Sequence, residues 1–267
     1  MYLYLTIFFI FLVLFCIELV AYLTRKFSIL EEDKKVAEIM NREKKYEIEK
    51  IEEGNMEKNI LQTYKDINNV PKYVVDNLKD KNLGWKYHFY SDKDCEKFIK
   101  DNYGIEILAK YLSIKGKPHR ADIFRLCWLY KHGGVYVDID TQILIPLDKL
   151  IENKKISIPI THDRLNRKRL LNCIIITNKG NPLIKECLEN ILKIDSGELS
   201  EKKYYLIILL IMQKTLEGKI AYHFREINTQ ASNFFLLRKN DWVILDQRDE
   251  LVAFSRYKSY SHGKGFN

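Results

Sequence analysis

Gly133-Gly134-Val135-Tyr136-Val137-Asp138-Ile139-Asp140 decides how this chain is read. Val135, Tyr136 and Val137 form a short apolar run with the character of a strand, and two glycines stand before it, where a preceding helix would end. Two carboxylates follow at i and i+2, just beyond the strand's C-terminal end. Such a pair is not buried cheaply unless something positive sits with it. A hard divalent cation, Mg²⁺ or Mn²⁺, meets that need, takes few protein carboxylates and completes its shell with phosphate oxygens, so the pair suits a diphosphate leaving group. Strand ends are also where open α/β sheets gather ligands. Taken alone the signal is weak, because acidic pairs at turns are common.

Upstream, His119-Arg120-Ala121-Asp122-Ile123-Phe124-Arg125 belongs to a helix pattern that opens at Pro118 and stops at the two glycines. Asp122 and Arg125 share one helical face at i and i+3, with Phe124, Cys127 and Trp128 supplying apolar contacts. Two readings stand: an exposed ion pair worth about 0.2–0.5 kcal/mol, or a clamp on sugar hydroxyls. Further out, residues 59–64 and 85–90 read as strands. Pro71 opens a helix carrying Val74, Val75 and Leu78, and Ser91 with Asp94 starts the helix of Phe98 and Ile99. Residues 105–114 form another helix pattern, 156–160 and 170–177 read as strands, and 182–194 as a helix. Residues 204–216 read as a buried helix too short for a membrane span, followed by strands at 242–245 and 251–254. The alternation predicts an α/β domain with a mainly parallel central sheet.

The 267 residues are 46% apolar and 12% aromatic, enough to build a core. Net charge is +8, but the 44 Lys and Arg are interspersed with 36 Asp and Glu. No sustained basic helix results, which argues against a nucleic-acid partner and for phosphates or a lipid surface. The five cysteines have no zinc or redox spacing, and buried free thiols are favoured over two disulfides. Residues 2–23 are almost wholly apolar and, at ~1.5 Å per helical residue, long enough to cross a hydrocarbon core of ~30 Å. Residues 1–24 therefore read as a membrane anchor, 25–58 as a charged helical stem and 59–267 as the folded domain.

The combination Ala121-Asp122-x-x-Arg125, Leu129-Tyr130 and Gly133-Gly134-x-Tyr136-x-Asp138-x-Asp140 resembles glycosyltransferase family 32, DXD-motif sugar transferases that include the fungal initiating alpha-1,6-mannosyltransferase. Gln62-Thr63-Tyr64 is similar to the family's opening His-Gln-Thr-Trp, with Leu61 in place of the His, and no Thr-Gly-Pro element follows Ile194. The resemblance implies a GT-A type nucleotide-sugar-binding domain behind an N-terminal transmembrane helix, facing the Golgi or ER lumen. Arg25 and Lys26 after the anchor favour a cytosol-facing domain instead.

By the same resemblance Asp138, Asp140 and His262 hold Mn²⁺ or Mg²⁺. Asp122, Arg125 and Asp140 are catalytic, and Tyr64, Asp122, Arg125, Gly134, Tyr136, Asp138, Asn172 and Lys264 meet the donor. The donor implied is a GDP- or UDP-linked hexose, the acceptor a glycan, glycolipid or protein, and the transfer retaining. Beside this, the residues themselves allow Tyr64 to be core and His262 to be solvated. Two rivals remain: a non-catalytic membrane-tethered sugar-binding protein, and a haloacid-type phosphatase, which needs Thr or Val where Gln142 stands.

Overall fold

The computed structural model describes residues 2–151, 156–162, 168–195, 197–220, 224–228, 242–261 and 264–266. The chain divides into two compact units, Met1–Arg42 and Glu43–Asn267. The first is one helix, α1 (Tyr2–Met40). Among the described residues it is the one helix long and apolar enough to cross a membrane. It continues through the first half of the expected stem and stops.

Residues 43–58 are not helical and belong to the second unit. The Gly54 N–H donates to the Lys179 carbonyl at 3.0 Å. The Ile51 N–H donates to the Tyr130 hydroxyl at 2.9 Å, and that hydroxyl donates to the Glu49 carbonyl at 3.2 Å. Backbone groups that a helix would have satisfied internally are satisfied by the domain instead, which is why the charged stem pattern does not continue as a helix.

Next come β1 (Asn59–Thr63), α2 (Lys72–Lys81), β2 (Lys86–Tyr90), α3 (Asp92–Ser113), α4 (Lys117–His132) and β3 (Gly134–Val137). β1 pairs in parallel with both β2 and β3, the parallel core that the alternation predicts. A capping box starts α3: the Asp94 N–H donates to Ser91 Oγ at 3.3 Å and the Ser91 N–H to Asp94 Oδ2 at 3.0 Å. The two helix patterns read there are one element broken at Gly104, whose φ is 84°. α4 buries Ile123, Phe124, Leu126, Cys127, Trp128 and Leu129, so it is a core helix with apolar residues nearly all round.

The chain continues through β4 (Gln142–Ile143), α5 (Leu147–Ile151), β5 (Ile156–Ser157), β6 (Ile160–His162), β7 (Lys168–Leu170) and β8 (Ile174–Thr177). It then forms α6 (Pro182–Leu192), α7 (Glu201–Leu216), β9 (Phe224–Asn228), β10 (Trp242–Asp246), β11 (Leu251–Phe254), β12 (Tyr260–Ser261) and β13 (Gly265–Phe266). The first sheet runs β2-β1-β3-β8-β5, with β8 antiparallel to β3. A second sheet, β4-β11-β10-β9-β6-β7, is antiparallel apart from the β6–β9 pair. Several of its strands are two or three residues long and leave no periodicity to read.

The expected strand at 156–160 splits between the two sheets, with Pro159, which has no N–H for a ladder, lying between β5 and β6. The expected strand at 170–177 breaks between β7 and β8. α7 buries Ile207, Ile208, Ile211, Met212 and Leu216, and the domain's cysteines are buried free thiols.

At Gly134 φ is 111°, and a Cβ there would stand 2.4 Å from the Asn59 carbonyl oxygen. β1 and β3 pair at this distance because no side chain intervenes. Gly134→Ala is therefore expected to cost ~2–4 kcal/mol in denaturant unfolding, since strain and overlap with backbone add. Gly84→Ala, at φ 84° with nothing within 4 Å, should cost only the left-handed backbone penalty of ~1–2 kcal/mol. Equal losses at the two positions would show that the close approach is unimportant.

Candidate active site

Strand alternation places Tyr136 on one side of β3 and sends Asp138, two residues on, to the same side. Helical spacing does the same for Asp122 and Arg125 on α4. The four side chains meet. The Arg125 guanidinium lies 4.2 Å from the centroid of the Tyr136 ring, with Nη2 3.0 Å from Asp122 Oδ1 and Nη1 3.3 Å from Asp138 Oδ1. The Tyr136 hydroxyl donates to the same Asp138 oxygen at 2.5 Å.

Asn172, in the break between β7 and β8, completes the cluster. Its carbonyl accepts from Arg125 Nη1 at 2.6 Å, and its Nδ2 donates to Asp122 Oδ1 at 2.8 Å. Asp122 and Arg125 are only 3% and 5% exposed. The exposed ion pair allowed by the sequence is thus a buried network, with much larger consequences for removing one partner.

The backbone of Asp138 is held from three directions. Its N–H donates to the Cys173 carbonyl at 2.7 Å, and its carbonyl accepts from the Thr141 N–H at 3.0 Å and from Gln62 Nε2 at 3.4 Å. Gln62 is buried and its Oε1 accepts from the Tyr87 hydroxyl at 2.9 Å. The sequence reading placed Gln62 in a motif without a role; parallel pairing of β1 and β3 brings it to Asp138.

Burial opposes the charge on Arg125, but Asp138, Tyr136 and Asp122 outweigh it and hold its pKa above the ordinary value. Burial raises the Asp138 carboxyl, against the pull of Arg125. Asp140 is pushed up to about 7, first by burial and then by the neighbouring Asp138. Two crowded carboxylates whose charged forms are disfavoured fit a hard divalent cation, which would take oxygen donors from both and leave the rest of its shell to phosphate and water. Among the described residues no group of three His, Cys, Asp or Glu forms a closed cage, and His262 lies outside the described residues.

A cavity of about 460 Å³ opens over the cluster, a volume in the range of small-molecule sites. Of the expected residues, Tyr64, Asp122, Arg125, Tyr136, Asp138, Asp140 and Asn172 line it. Gly134 does not: it sits at the far end of β3, against Asn59. Lys264 does not either, being exposed in the turn between β12 and β13.

The Tyr64 ring meets Phe266 edge-on at 6.3 Å, and a Cβ at Gly265 would fall 2.5 Å from its hydroxyl. The cavity also takes Tyr205 from α7 and Tyr260 from β12, while Arg256 pairs with Asp140. No local pattern marks these three late residues. Asp122 Oδ2 is buried without a hydrogen-bond partner among the described residues. Its ionisable neighbour His119 Nδ1 is 3.9 Å away and likewise without a hydrogen bond among the described residues.

The site is thus an Asp-x-Asp pair past the central strand of a mixed α/β domain, under a cavity in the small-molecule range. Residues 18–157 match the family described as glycosyltransferase sugar-binding region containing DXD motif, and the chain belongs to that family. It is 31% identical over 161 residues to the initiation-specific alpha-1,6-mannosyltransferase of Candida albicans, covering 50% of this chain and 42% of that protein. It is 28% identical over 149 residues to inositol phosphoceramide mannosyltransferase 3 of Schizosaccharomyces pombe, covering 55% and 40%. The chain thus spans less than half the length of these relatives. Among solved structures, the PaToxG glycosyltransferase aligns with a TM-score of 0.47 at 17% identity, covering 74% of this chain and 79% of that one.

Arg125→Ala is expected to destabilise the domain by ~3–5 kcal/mol, because it strands two carboxylates in a buried site. Arg125→Lys should recover only part of this, lacking the planar fork that reaches Asp122, Asp138 and the Asn172 carbonyl together. Tyr136→Phe removes one hydrogen bond to a charged group and should cost ~1.5–3 kcal/mol. Denaturant unfolding of the three variants gives the order.

Proposed function

We propose that this chain is a metal-dependent hexosyltransferase that uses a GDP- or UDP-sugar, with Asp138 and Asp140 holding Mn²⁺ or Mg²⁺. The observation that carries the reading is the orphaned Asp122 Oδ2, in the same cavity wall as the Asp-x-Asp pair. A buried carboxylate oxygen without a donor loses much of its hydration, and a sugar hydroxyl restores the missing bond. Arg125 and Asn172 fix the other oxygen of that carboxylate, so the carboxylate is held in one orientation before the donor arrives.

When bound, the divalent ion neutralises charge developing on the departing diphosphate. The chain's own residues do the rest: Asp122 holds the sugar, Tyr64 faces the base, and Arg125 keeps Asp138 in register. His262 as a further metal ligand and transfer with retention are parts of this proposal; Lys264, outside the cavity lining, is not. Both named relatives are mannosyltransferases, and the second name specifies inositol phosphoceramide. GDP-mannose is accordingly the first donor to test, and the acceptor class is a glycan, glycolipid or protein hydroxyl. α1 serves as a membrane anchor, with the domain in the Golgi or ER lumen.

One of GDP-mannose, UDP-glucose, UDP-galactose and UDP-GlcNAc is expected to be hydrolysed in a Mn²⁺-dependent way, and Asp138→Asn or Asp140→Asn should lower turnover ~100-fold or more. Donor binding without any turnover would instead identify a sugar-binding protein. Asp122→Asn, which keeps the volume, should reduce sugar transfer ~5- to 150-fold while changing nucleoside-diphosphate affinity little; equal losses in both would remove the sugar-clamp role. Protease protection in sealed microsomes tests the lumenal orientation, and ready digestion of the domain reverses it.

A further inference from the structure

We infer that Arg256 is a positioning residue of the metal site: it is the counter-ion of Asp140 in the metal-free protein and the group through which metal and nucleoside diphosphate bind cooperatively. The inference rests on the metal-dependent reading above. Arg256 Nε lies 3.4 Å from Asp140 Oδ2, with Asp140 largely buried and Arg256 at the surface.

The backbone around Arg256 is strapped across the motif. The Tyr257 N–H donates to the Asp140 carbonyl at 2.7 Å, and the Ser255 N–H donates to the Trp242 carbonyl at 2.9 Å. Thr141 Oγ1 donates to the Ser255 carbonyl at 3.5 Å. Residue 256 is therefore carried beside Asp140 by its neighbours, whatever its own side chain does. A second carboxylate is close: Glu226 on β9 bonds the Ser255 hydroxyl and attracts the Arg256 guanidinium.

A guanidinium and a divalent cation on the same Asp140 carboxylate weaken one another's hold, because like charges a few ångströms apart repel strongly away from bulk water. The long side chain can swing while its strapped backbone stays. A nucleoside diphosphate then offers the displaced fork new oxygen acceptors in the same cavity. Arg256 accordingly opposes metal binding when the metal comes alone and favours it when diphosphate is present. By linkage, metal and nucleotide each tighten the other.

The test is Mn²⁺ affinity of the full chain in detergent, read as free Mn²⁺ by electron paramagnetic resonance, with and without GDP or UDP. Arg256→Gln should bind Mn²⁺ alone about three- to tenfold more tightly than the wild type, and should lose a similar factor from the gain that the nucleotide confers. Arg256→Lys, which keeps the charge, should stay near wild type for Mn²⁺ alone. Arg248→Gln makes the same change in net charge at the exposed turn between β10 and β11 and should alter neither quantity. Equal effects of Arg256→Gln and Arg248→Gln, no effect of either, or no nucleotide gain in the wild type overturns the role of Arg256. Asp138→Asn separates this from the underlying reading. If that variant binds Mn²⁺ as the wild type does, the metal assignment itself fails; if it loses Mn²⁺ while Arg256→Gln changes nothing, only the inference about Arg256 fails.

Discussion

One buried guanidinium organises the centre of this domain. Arg125 touches the ring of Tyr136, both acidic side chains Asp122 and Asp138, and the Asn172 carbonyl. Two carboxylates taken out of water, one on α4 and one past the end of β3, repel one another. The guanidinium places a positive charge against both. Its contacts come from three parts of the chain, so α4, β3 and the β7–β8 break must all be in place before the charge is satisfied. A buried charge of this kind specifies an arrangement more than it adds net stability.

The arrangement in turn requires backbones to approach closely. Gly134 lets β1 reach β3, and a Cβ at Gly180 would stand 2.4 Å from the Glu52 carbonyl oxygen, so the segment entering the domain lies directly against the turn after β8. These contacts sit at the end of the sheet away from the Asp-x-Asp pair. The glycines of the motif thus act on assembly, and its carboxylates line the cavity at the other end, with the apolar strand between them as a rigid spacer.

The second sheet has a different part. Its β11 leads into residues 255–257, which tie back to Asp140 and Thr141. Asp138 is held by the first sheet and by Gln62, whereas Asp140 answers to this later segment. The two halves of one short motif therefore report to different parts of the chain, an arrangement suited to a site where one carboxylate is fixed and the other must accept a changing partner.

Much of this was legible in the sequence. Periodicity and capping located β1, β2, β3 and the helices α2, α4, α6 and α7, and the spacing of Asp122, Arg125, Asp138 and Asp140 marked the residues that line the cavity. Those signals are local: they depend on helical and strand periods and on Gly, Pro and Ser at element ends. What lay beyond them is long-range. Whether Asp122 and Arg125 were an exposed pair or a buried network depends on α4 packing over β3 and on Asn172, 47 residues from Arg125. Arg256 and Asp140 are separated by more than a hundred positions, and Gln62 acts on Asp138 across a parallel pairing. Gly134 looked like a ligand contact because it belongs to the motif, but its φ and its distance to Asn59 make it a packing residue. The sequence by itself determined which residues carry charge and which segments form elements, because both follow from neighbours a few positions away. Tertiary structure decided which charges are buried and what each one faces, because burial and pairing depend on segments that meet only after the chain has closed on itself.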